Sequence, residues 1–106
     1  MAEPKSMLEG YQIEDVKDDF RSAQRIEQYR ISEKALYIPE GLRWKYLPLD
    51  GVKQVEESFR VISAGHCVPI REKRPEIDLV TETGTTVHIS LEKQESMQKL
   101  LDVIRN

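Results

Sequence analysis

The chain has a single cysteine, Cys67, among its 106 residues, so no disulfide can form within it. No stretch approaches the roughly 18 uninterrupted apolar residues of a membrane-spanning helix. Glycine and proline are sparse at five each, and the glycines nowhere gather into a phosphate-cradling loop. No surplus of positive charge exists either. Sixteen Lys and Arg face nineteen Asp and Glu, a net charge of −3. With a pI near 5.4, the chain as a whole has the wrong sign for a cationic nucleic-acid or membrane-surface binder. Met1 to Gly10 is charged and polar, unlike the apolar segment of a signal peptide. These absences together lead to the expectation of a cytoplasmic protein.

What remains is enough for one domain and too little for two. The hydrophobic fraction is 39% and the charged fraction 33%, on the polar side of an ordinary globular chain. Nine Ile and eight Val outnumber nine Leu. β-Branched side chains suit a pleated surface better than a helix, so this balance favours sheet.

Residues 1–10 read as a loose lead-in. Ile13, Val16, Phe20 and Ala23 then recur at helical spacing with charged residues between them, which predicts a helix over 13–24. The rival reading begins the first strand at Phe20. From Ile26 the period changes. Ile26, Tyr29 and Ile31 lead into the polar turn Ser32-Glu33-Lys34, followed by a strand over Ala35 to Ile38. Pro39-Glu40-Gly41 has turn chemistry, and Leu42, Trp44 and Tyr46 alternate with Arg43, Lys45 and Leu47. These two strands form a hairpin. Pro48-Leu49-Asp50-Gly51 fits either a second hairpin turn or a bend in a longer strand. Phe59 to Ile62 read as strand and Ser63-Ala64-Gly65 as a turn. His66, Val68 and Ile70 alternate as strand, and Arg71 to Glu76 read as a charged loop. Ile77 to Val80, a turn at Thr81 to Gly84, and Thr85 to Leu91 complete the strands. Met97, Leu100, Leu101 and Ile104 lie at i, i+3, i+4 and i+7, the stripe of a helix facing a core, with Ser90 available to cap it.

Many short strands closed off by one C-terminal amphipathic helix resemble the pleckstrin-homology-like layout. Arg30 to Pro39 is similar to the strand–turn–strand opening of small bacterial proteins of that type. Tyr46-Leu47-Pro48-Leu49, with Val52 and Val55, is similar to their third strand running into the fourth. The likeness spans residues 25–106 and leaves 1–24 outside as a lead-in and helical extension. It implies a mainly β fold: a partly open antiparallel barrel of six or seven strands, plugged by the last helix. It brings no settled activity with it. Phosphoinositide-binding members cluster bases between their first two strands. Here that turn, Ser32-Glu33-Lys34, holds one base and one acid, which argues against that ligand.

The residues that could carry a binding site are few. Arg43, Trp44 and Tyr46 interleave a base with aromatics, as stacking surfaces do. Strand alternation instead sends Trp44 and Tyr46 to the core with Leu42. Arg71, Lys73 and Arg74 give three bases in four residues, diluted by Glu72 and Glu76. His66 and Cys67, as neighbours on a strand, face opposite ways. They therefore fit neither a metal site with His88 nor a nucleophile–base pair. The reading is a non-catalytic interaction module with no cofactor or metal, a protein partner or self-association, and no nucleic acid. The alternative is a small-molecule or lipid-binding barrel with a ligand at its open end near Trp44, Tyr46 and His66. The helix at 13–24 has one apolar stripe to bury, on its own barrel or on a neighbour's.

Overall fold

In the computed structural model, residues 3–63 and 71–105 are described. In chain order the elements are β1 (Lys5–Ser6), α1 (Val16–Ser22), β2 (Gln24–Ile26), β3 (Tyr29–Ile31), β4 (Ala35–Glu40) and β5 (Arg43–Pro48). A 3₁₀ turn (Leu49–Gly51) follows, then β6 (Val52–Ser63), β7 (Arg71–Thr81), β8 (Thr86–Ser90) and α2 (Gln94–Arg105). The fold is mainly β with two helices, as expected. The strands do not close into a barrel. They form a five-stranded sheet in the order β1-β5-β4-β3-β2 and a three-stranded sheet in the order β6-β7-β8. The described strands number eight rather than six or seven.

The extra strands have local causes. Ile26 and Tyr29 are three apart because a two-residue turn separates them. Ile26 pairs with Tyr29 across it, and β2 and β3 form a short hairpin. The β4–β5 hairpin appears where alternation put it, but its turn is Gly41-Leu42. Gly41 takes the positive φ of 61°, and Pro39 sits within β4 opposite Trp44. Leu42 is therefore fully exposed at the turn and shares no core with Trp44. At Pro48 the chain bends, and Leu49–Gly51 carries it from one sheet to the other. A Cβ at Gly51 would meet Leu8 Cδ1 and crowd the Tyr11 ring, so a larger residue there would have to displace the Leu8 side chain.

The largest differences from the sequence reading lie further on. Val52 to Ser63 is one continuous strand with an irregularity between Val52 and Gln54, which accounts for the off-period spacing of Val52 and Val55. Arg71 to Glu76, expected as a loop, is the first half of β7 and is paired residue by residue with β6. The ladder's backbone hydrogen bonds hold such a segment extended whatever its charge. The strand expected over His66 to Ile70 and the turn at Ala64-Gly65 fall outside the described residues.

Two apolar clusters share the five-stranded sheet. On one face Ile31, Leu36 and Leu47 meet Ile77, Leu79 and Ile89 of the three-stranded sheet, with Met97, Leu100 and Leu101 of α2 in the same cluster. On the other face Ala35, Tyr37 and Tyr46 are covered by Val16 and Phe20 of α1, with Ile13, Ala23 and Trp44 around them. The predicted stripe of α1 is thus real, although the helix is shorter than 13–24. It lies on the face of its own sheet. Trp44 belongs to this second cluster and not beneath α2.

Candidate functional site

The sequence-nominated residues divide between two places. Arg43 and Trp44, on β5, line a groove of about 280 Å³ together with Glu3, Lys5, Glu40 and Lys45. Lys5 is brought there by β1, which pairs in parallel with β5 and sets Lys5 beside Lys45. Lys45 is 3.6 Å from Glu40. The indole of Trp44 meets the ring of Phe20 edge-on, with centroids 5.0 Å apart. The Arg30 guanidinium lies 4.5 Å above the centre of the Phe20 ring and 5.8 Å from that of Trp44. One side of the indole is thereby held from within while the other borders the groove. Tyr46 is buried two residues along, and its hydroxyl accepts a hydrogen bond from the Ile13 backbone N–H at 3.4 Å. Tyr46 serves to tie the approach of α1 to the sheet.

Arg71, Lys73 and Arg74 lie on β7, in the other sheet, at register positions opposite Ser63, Val61 and Arg60 of β6. They are strand residues, not a loop tip. The fold does not join them to Arg43 and Trp44 in a single sheet. His66 lies outside the described residues.

Three polar arrangements escaped the sequence reading. Asp19 of α1 accepts hydrogen bonds from the Ser32 hydroxyl at 2.6 Å and the Tyr37 hydroxyl at 2.5 Å. Burial pushes the Tyr37 phenol well above its ordinary range, and its bond to Asp19 pushes the same way. Ser32 Oγ also accepts from the backbone N–H groups of Lys34 and Ala35. The Ser32-Glu33-Lys34 turn is thus engaged in its own hydrogen bonds.

Glu27, in the β2–β3 turn, reaches the start of α2. Its carboxylate accepts from the N–H of Glu92 at 2.8 and 3.1 Å and from that of Lys93 at 3.2 Å. This carboxylate fixes the two residues that lead into α2, the end of the helix that Ser90 was expected to cap. Ser90 instead lies in β8, opposite Glu76. An acceptor 65 positions away in the chain leaves no local signal.

On the outer face of the three-stranded sheet, His88 Nδ1 is 2.6 Å from Asp78 and Nε2 is 3.5 Å from Glu76. Ser90 Oγ stands 3.4 Å from Nε2, beyond the 2.6–3.2 Å reach of an activated nucleophile. The imidazole is 51% exposed and bracketed by two carboxylates, so the group is a surface charge cluster. Among the described residues, no three His, Cys, Asp or Glu side chains are grouped so as to hold a metal ion. No described helix is long and apolar enough to cross a membrane.

The feature with the most unused binding capacity is the β6–β7 ribbon. β8 pairs with β7 only from Glu76 to Val80. Beyond the Ser58–Glu76 pair, the ribbon continues as two strands through five further residue pairs, Phe59–Pro75 to Ser63–Arg71. β6 forms the outer edge of its sheet for twelve residues. At the base of the two-stranded part stands Phe59, 53% exposed. No family model, curated protein or solved structure matches this chain.

Proposed function

We propose that the chain is a non-catalytic interaction module acting inside the cell as an adaptor or regulatory domain. Its two-sheet body with a terminal helix is, in this reading, a pleckstrin-homology-like variant. The observation that carries the proposal is the ribbon. A long strand edge that no other strand covers among the described residues, with an exposed aromatic on it, costs solubility unless something binds it. Strand addition to such an edge is a common mode of protein recognition. A photo-crosslinking residue placed at Phe59 and, separately, at Leu42 tests this in cells. Both positions are exposed and apolar, so Leu42 controls for stickiness. Discrete protein adducts at Phe59 and none at Leu42 are expected. Equal background at both positions would sink the proposal.

The groove at Arg43 and Trp44 favours a second reading, a small anionic or aromatic ligand held by Trp44, Lys5 and Arg43. A metabolite and lipid panel read by thermal shift separates the two. A ligand that raises the melting temperature of the native chain but not of Trp44→Ala would establish the groove as the site.

A further inference from the structure

We infer that the β6 edge is the docking surface for a second copy of this chain, and that two β6 strands pair antiparallel about a two-fold axis at Ser58. The inference deepens the interaction-module reading and rests on it.

Charge along the ribbon is the first ground. Its inner half, 52–58 with 76–81, carries one base, Lys53, against four acids, Glu56, Glu57, Glu76 and Asp78, a formal net −3. Of these acids, Glu57 is ion-paired with Arg105 of α2 at 2.8 Å, while Glu76 and Asp78 flank His88. Its outer half, 59–63 with 71–75, carries four bases, Arg60, Arg71, Lys73 and Arg74, against Glu72, a net +3. The reversal falls where β8 stops pairing, at Glu76. A ribbon that is negative at its root and positive at its far end complements itself only when turned end for end. Antiparallel association lays each outer half along the partner's inner half; parallel association would set like charge against like.

Strand geometry narrows the register. A two-fold axis perpendicular to the sheet keeps inner faces together, so opposed residues must share a face, and their numbers must sum to an even value. Axes at Glu56, Glu57 or Arg60 oppose that residue to its own copy and set like charges together. An axis at Ser58 pairs Glu56 with Arg60 twice and Val55 with Val61 twice. It sets Phe59 opposite the partner's Glu57, whose carboxylate is held by Arg105 of α2, and diagonal to the partner's Phe59 and the partner's Val55, within reach of an aromatic ring.

The remaining ground is the asymmetry of edge protection. The free edges of the five-stranded sheet, β1 and β2, are two and three residues long. β8, at the other edge of the three-stranded sheet, has five. β6 has twelve and, among the described residues, no strand on its outer side. Natural edges are blunted by brevity or charge. The inner half of β6 has Lys53, Glu56 and Glu57, whereas Ser58 to Ser63 has a single charge, Arg60, beside Phe59, Val61, Ile62 and two serines.

Sedimentation equilibrium of the full chain across about 1–100 μM tests the inference. A dimer is expected. Arg60→Glu and Glu56→Arg should each weaken it at least about tenfold, since each replaces two attractive pairs by two repulsive ones. The double variant Glu56→Arg/Arg60→Glu should recover affinity to within about threefold of the native chain. In a Cys67→Ser background, Ser58→Cys should oxidise to a covalent dimer, because the axis brings the two sulfurs together, while Gln54→Cys should not. That readout stands if a charge variant fails to fold. A native chain that stays monomeric throughout, a dimer indifferent to charge reversal, singles that the double does not rescue, or Ser58→Cys that fails to cross-link would each overturn the inference. A monomer that still forms Phe59-specific adducts in cells would leave the interaction-module reading standing with a different partner.

Discussion

Glu27 shows how one side chain can join distant parts of the chain. It adopts a left-handed backbone, φ 54°, a conformation that costs a non-glycine residue roughly 1–2 kcal/mol. In return the turn aims its carboxylate at the N–H groups of Glu92 and Lys93, just before α2, where the helix dipole also favours an anion. Glu27→Ala loses these hydrogen bonds and keeps the strain; Glu27→Gly loses them and relieves the strain. The alanine variant should therefore be less stable than the native chain by about 1 kcal/mol, and the glycine variant should lie between them. Urea melts of the three rank them. Tyr37 sets a pH limit. Its phenol is raised above the unfolded value of 10.0, first by burial and then by the bond to Asp19. Burial also raises Tyr29. The folded chain keeps these protons at a pH where the unfolded chain loses them, so their contribution is whole below pH 10.0 and declines as pH rises above it. Tyr37→Phe should cost about 1 kcal/mol at pH 8 through the lost hydrogen bond. It should also flatten the loss of stability above pH 10.0, as urea midpoints on both sides of that value will show.

Among the elements, α2 depends most on its surroundings. A helix of twelve residues is marginal alone in water, so burial of its stripe must hold it. Met97, Leu100 and Leu101 are buried in the main cluster with Leu79 and Ile89, and Ile104 packs at its rim. Leu100→Ala should cost about 2–5 kcal/mol. Gln98→Ala, on the exposed side with only a hydrogen bond to Asp102, should cost under about 0.5 kcal/mol. Equal denaturation midpoints would show that the helix is not docked. This element was legible in the sequence because its period is long and its stripe complete. So was the β4–β5 hairpin, whose alternation and turn glycine agree. The first half of β7 was not, because Arg71 to Glu76 is held by its ladder to β6 and offers no apolar period to read, whereas Ile77 to Val80 reads as strand. Barrel closure was not legible either, since strand count and order depend on pairings such as that of β1 with β5, about forty residues apart. Of the nominated binding residues, periodicity placed Trp44 and Tyr46 on one face correctly. It could not show that α1, rather than the main core, covers that face.

At the scale of the whole molecule, the five-stranded sheet is buried on both faces, and residues before Gln24 supply part of each. Leu8 belongs to the main cluster and packs over Gly51, where the chain changes sheets. Val16 and Phe20 make up the α1 side of the second cluster, over Tyr37 and Tyr46. The N-terminal quarter is thus a structural layer of the body, although its sequence reads as a lead-in and one short helix. Burying a large apolar side chain is worth about 1.5–3 kcal/mol, so losing Leu8, Val16 and Phe20 together removes about 5–9 kcal/mol. An ordinary domain has only about 5–15 kcal/mol in total. A chain shortened to begin at Gln24 should therefore lose cooperative unfolding. Its single tryptophan, no longer against Phe20, should emit further to the red than in the full chain. Tryptophan emission and thermal unfolding followed by circular dichroism decide the point. A shortened chain with native emission and an unchanged midpoint would mean that the second cluster contributes nothing to stability. The sheet would then have to tolerate Tyr37 and Tyr46 open to water, a cost that only a new partner on that face could offset.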